Sequence, residues 1–110
     1  MSGGERIGSF AEFWPYYLRE HSQPGTRVLH LVGTTLALLF LLAAVVTGRP
    51  ALLVGALLAG YGFAWIGHFA VERNRPATFK YPLWSLAADW KMWALALSRR
   101  LQPELRRAGV

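Results

Sequence analysis

Three histidines, His21, His30 and His68, are the only imidazoles of the chain, and cysteine is absent. Thiolate metal sites and disulfide frameworks are therefore excluded. Imidazole suits iron, zinc, copper and nickel, and two histidines with one carboxylate on a common face form the site of non-haem Fe(II) oxygenases. Glu20, Glu72 and Asp89 are the carboxylates within plausible reach. Glu72 follows His68 by one helical turn, and Asp89 sits in a tryptophan-rich apolar segment; both are candidates for a catalytic role. Asp89 could instead orient a histidine ligand from behind, or pair with Lys91 or an arginine. Arg27 and Arg73, with Arg75, could draw an anionic substrate head, although membrane-flanking arginines commonly serve as anchors.

The spacing of two histidines depends on what surrounds them. Apolar runs from Val28 to Thr47 and from Ala51 to Val71 are separated by Gly48-Arg49-Pro50. Neither run contains Asp, Glu, Lys or Arg, and each is long enough to cross a hydrocarbon core of about 30 Å. The spans are therefore predicted over 28–47 and 51–72 as a transmembrane hairpin, with Gly48 ending one helix and Pro50 starting the next. Counted from Arg49, His30 lies 19 residues back (49 − 30) and His68 lies 19 residues forward (68 − 49). Two helices of that length place both rings roughly 28 Å from the turn, at one depth. Ionisable groups at one level of a membrane hairpin suggest a functional site. Ala56, Gly60, Ala64 and His68 recur every four residues, opposite His30, Gly33, Thr34, Ala37 and Ala44. Such small residues let two helices approach closely in lipid.

The flanks are read as amphipathic. Residues 1–9 are Gly- and Ser-rich and predicted to be a flexible tail. Residues 10–22 (FAEFWPYYLREHS) space aromatics helically and are predicted to form an interfacial helix, which brings His21 back towards the same membrane face. Residues 83–101 are predicted to be a second amphipathic helix, lying at the interface or packed on the hairpin, and the basic tail from Gln102 to be mobile. The fold class is all-α, a single 110-residue membrane domain. The first apolar run is too long and starts too late for a secretory signal peptide, and it leads straight into a second span.

The net charge is +6, from twelve Lys and Arg against six Asp and Glu. Eight of the twelve follow the second span, three precede the first, and only Arg49 lies at the tip. The positive-inside rule then places both termini in the cytoplasm. Attraction to anionic headgroups accounts for the excess, and no groove-reading or base-stacking motif points to nucleic acid. The shortness and Arg/Ala content favour a bacterial inner membrane. No oligomeric state is legible, and a homo-oligomer stays open.

With these elements in place, FAEFWPYYLREHSQPGTRVLHLVG and GYGFAWIGHFAVERNRPATFKYPLWSLAADWKMW resemble the Mpo1-like family from Phe10 to about Trp93. The specific parts are the H-x8-H spacing of His21 and His30 and the run HFAVERNRPATFKYP from His68. The resemblance implies an Fe(II)-dependent membrane dioxygenase that shortens 2-hydroxy fatty acids by one carbon. It matches His21, His30 and His68 to family histidines, and Glu72, Asn74 and Pro76 to the motif after the last of them, which adds Asn74 to the substrate-binding candidates. The chemistry suits this inventory. Converting R-CHOH-COOH and O2 into R-COOH, CO2 and H2O takes four electrons, all from the substrate, so no flavin or nucleotide loop is needed. Two other classes compete: a haem held between His30 and His68 for electron transfer, and a membrane scaffold whose histidines are incidental.

Overall fold

The computed structural model describes residues 7–110, so most of the predicted tail at 1–9 lies outside the described residues. All regular structure among them is helical: α1 (Phe10–Arg19), α2 (Pro24–Thr47), α3 (Leu52–Ile66), α4 (Pro82–Leu97) and α5 (Leu101–Ala108). A π turn, Gly67–Glu72, continues α3, and a short 3-10 turn, Ala77–Phe79, leads into α4.

The hairpin forms where the apolar pattern places it. Pro24 opens α2, where its missing N–H costs nothing, and Gly48 closes the helix in the left-handed conformation at φ 68°. Arg49 and Pro50 then turn the chain, their carbonyls accepting from Leu52 and Leu53. α2 and the α3–π element are both long and apolar enough to cross a membrane. Their close approach rests on glycine. A Cβ on Gly33 would fall 2.7 Å from Phe63 Cβ and 2.8 Å from the Ala59 carbonyl. A Cβ on Gly67 would fall 3.0 Å from Thr26 Cγ2. The outer faces stay uncovered: Val45, Val46 and Leu58 are all strongly exposed.

The densest core lies beside the histidine end of the hairpin. Phe13, Tyr17 and Leu18 of α1 pack with Ala88 and Met92 of α4 and Leu101 and Leu105 of α5. The aromatic face of α1, expected at headgroup depth, is thus occupied by protein. Trp14 Nε1 donates to Glu104 of α5 (2.8 Å), and Trp93 Nε1 donates to Thr35 of α2 (3.0 Å), which straps α4 to the hairpin.

Boundaries differ from the sequence reading at four places. The helix expected over 10–22 ends at Arg19, and the first span, expected over 28–47, already starts at Pro24, whose fixed φ suits a first helical turn. The helix expected over 83–101 ends at Leu97, and Arg99 turns left-handed at φ 61°. The tail expected to be mobile from Gln102 forms α5 instead, because Leu101, Leu105 and Ala108 share one face and that face is buried. The second span departs from α-geometry over its last six residues, Gly67–Glu72, a π turn that carries His68.

Candidate metal centre

Each histidine arrives from a different element. His21 follows the end of α1, where its N–H bonds the Leu18 carbonyl (3.0 Å) and its own carbonyl accepts from Arg27 Nη1 (2.6 Å). His30 stands in the second turn of α2, and His68 in the π turn. All three are buried, at 0%, 4% and 2% exposure. One ligand nitrogen from each lies within 4.8 Å of the others. His21 Nε2 and His30 Nε2 are 3.0 Å apart.

The opposite edge of every ring faces an acceptor. His21 Nδ1 donates to the Tyr17 carbonyl at 2.6 Å, a group that can only accept. His68 Nδ1 donates to Asn74 Oδ1 at 2.7 Å. The orientation of that amide follows from its other end, since Nδ2 donates to the Glu20 carbonyl at 3.0 Å. His30 Nδ1 lies 3.5 Å from Asp89 Oδ1. With the protons on Nδ1, the Nε2 lone pairs of His21 and His30 face one another, and a ring nitrogen of His68 lies within 4.8 Å of both ligand atoms. A hydrogen bond between His21 and His30 would oblige one ring to take the other tautomer and give up its Nδ1 acceptor. A bound cation would relieve this convergence. The 3.0 Å separation of His21 and His30 Nε2 is short enough for both nitrogens to bind one ion. Histidine ligands oriented through their second nitrogen are the usual arrangement around metals.

Electrostatics favour a neutral His21. Burial, then the neighbouring His30 and His68, push its pKa well below the ordinary imidazole value. Tyr17, buried against Asp89, is raised well above the phenol range, so it donates to Asp89 Oδ1 at 2.5 Å. Burial pushes Asp89 up to about 7, against the lowering effect of that hydrogen bond.

The remaining candidates fall in different places. Asp89 stands behind His30, one ring removed from the convergence point. Glu72 faces the start of α2: one oxygen accepts from Ser22 Oγ (2.7 Å), the other from the Gln23 N–H (2.6 Å) and Thr26 Oγ1 (2.7 Å). It caps the positive end of that helix and ties the end of the π turn to it. Arg27 braces the His21 carbonyl, and Asn74 orients His68. Arg73, left-handed at φ 60°, closes the π turn and lines an open depression with Phe69, Asn74 and Arg75. No carboxylate joins the three histidines among the described residues. Tyr17 escaped the sequence reading, although its helical spacing of four from His21 carries the signal.

Beyond the ligand atoms, His30 and Asp89 also stand at one end of an apolar groove of about 480 Å³ between α2, α3 and α4. The chain is matched over residues 7–101 by the family model described as 2-hydroxy-palmitic acid dioxygenase Mpo1-like. No curated protein and no solved structure matches it.

Proposed function

Because the chain belongs to the Mpo1-like family, we propose that it is an Fe(II)-dependent dioxygenase of a membrane, which shortens 2-hydroxy fatty acids by one carbon. The observation that carries this reading is the convergence of one ring nitrogen from each of three buried histidines, with an acceptor behind each ring. A ferrous ion bound there would supply the redox centre at which the 2-hydroxy acid and O2 react. The residues of the chain do the rest. His21, His30 and His68 hold the ion; Tyr17, Asp89 and Asn74 fix the ring directions; burial keeps bulk water away. Three histidines would hold the ion as neutral ligands and would leave room beside it for the head of the acid and for O2. Arg73 and Arg75 place positive charge close to Asn74, where it attracts an anionic head.

The two apolar helices span the bilayer, with the histidine end and both termini on the cytoplasmic side. Exposed Val45, Val46 and Leu58 then meet lipid rather than water. A haem between His30 and His68 has no room, since the His21 ring lies 4.4 Å and 4.5 Å from theirs and faces the same point.

The test is to incubate the protein in bilayers with a long-chain 2-hydroxy acid, Fe(II) and O2, and to analyse the acids by mass. The expected product is the acid shorter by one carbon, with release of CO2, and its loss in His30→Ala and His68→Ala. An unchanged substrate with iron-loaded wild-type protein would refute the proposed activity.

A further inference from the structure

The groove that starts at His30 and Asp89 runs away from them, towards the hairpin turn. Ala37 of α2 and Ala56 and Gly60 of α3 form its floor, and Leu41 and Leu53 stand at its far end. On α2 the lining positions step by four, three and four residues, so one continuous face of the helix is presented along its length. The small side chains that let the helices approach also leave this trough open: a Cβ on Gly60 would meet Ala37 Cβ at an unstrained 3.6 Å. Leu86 and Trp90 of α4 form part of its wall. Its volume falls within the range of small-molecule sites, and its lining is mostly apolar, with His30, Thr34 and Asp89 polar at the histidine end and Tyr61 beside Gly60.

We propose that this groove is the binding site of the substrate's acyl tail and that the residues along its floor set the chain length accepted. The inference rests on the dioxygenase reading for the nature of the head, and on the groove's continuity with His30 for the direction of the tail. Eleven residues separate His30 from Leu41 (41 − 30), or about 16 Å of helix, which matches on the order of 14 bonds of an extended chain at about 1.2 Å each. Ala37, level with Gly60, lies seven residues from His30 (37 − 30), or about nine bonds along the tail. A side chain added at Gly60 therefore obstructs long tails and leaves short ones room. Leu53 is half-exposed at the rim, so a larger residue there trims only the longest tails.

The experiment compares a short 2-hydroxy acid, whose tail ends before Gly60, with a long one that reaches Leu41. Wild type, Gly60→Leu, Leu53→Trp and the lipid-facing control Leu58→Trp are assayed in bilayers. In Gly60→Leu the ratio of long-acid to short-acid kcat/KM should fall about 10-fold or more, the usual cost of losing apolar contacts in a pocket. It should fall less in Leu53→Trp and stay constant in Leu58→Trp. A binding readout runs in parallel on metal-free wild type: a long 2-hydroxy acid with a diazirine at its tail is photolysed and the labelled residues are mapped by mass spectrometry. Labels at Leu41 and Leu53 support the groove, even if no acid is turned over and the dioxygenase reading fails. Labels spread over Val45 and Leu58, or equal loss of both acids in Gly60→Leu with turnover intact in wild type, would overturn it.

Discussion

At the scale of single residues, metal affinity should depend on groups that never touch the ion. Asn74 holds His68 by its Nδ1–H, and Asn74→Ala should weaken Fe(II) binding about 10- to 100-fold with the helix content unchanged, as measured by anaerobic titration. Tyr17→Phe removes the hydroxyl from Asp89 yet leaves the backbone carbonyl that holds His21. It should therefore cost about 1–3 kcal/mol of stability, from the buried carboxylate left short of a partner, and retain one bound ion per chain. Denaturation and metal analysis of the same sample check both statements. The equal 19-residue intervals from Arg49 made the pairing of His30 and His68 legible in the sequence, because a helix converts residue number directly into depth. The acceptors behind the rings were not legible to the same degree. Which carbonyl or amide meets a given Nδ1 depends on how α1 and the π turn pack, and no local pattern encodes that packing.

At the scale of elements, Glu72 distinguishes a structural from a chemical role. Its carboxylate caps α2 through Ser22, Gln23 and Thr26. Glu72→Ala should cost about 0.5–2 kcal/mol, read as a lowered Tm, while the protein still binds metal. Loss of the ion without loss of stability would instead bring Glu72 into the centre. Gly33→Ala probes the helix contact: its Cβ meets Phe63 and the Ala59 backbone at under 3 Å, so α2 and α3 must separate. A destabilisation of about 1–3 kcal/mol is expected in thermal unfolding in detergent. The hairpin was legible because Gly48 and Pro50 punctuate two uncharged runs. The break between α4 and α5 was not, since neither glycine nor proline marks Ser98-Arg99-Arg100 and the left-handed residue is an arginine. The π turn was equally hidden, for its sequence, GHFAVE, continues an ordinary helical pattern.

For the whole molecule, the division of labour is spatial. The hairpin carries exposed apolar residues and two of the three histidines, and α1, α4 and α5 form a packed cap that supplies His21 with Tyr17 and Asp89. Composition predicted the all-helical class correctly, because long uncharged runs leave few alternatives. It understated the cap, in which Phe13, Tyr17, Ala88, Met92 and Leu105 are buried against one another while Leu83, Leu86 and Leu97 of α4 stay exposed. The central claim is that this assembly gathers three imidazoles around one transition-metal ion. Anaerobic titration of wild type with Fe(II), followed by metal analysis after desalting, tests it most directly. One ion per chain in wild type and almost none in the single alanine variants of His21, His30 and His68 is the predicted result. Wild type that retains no ion, or variants that retain as much as wild type, would contradict it.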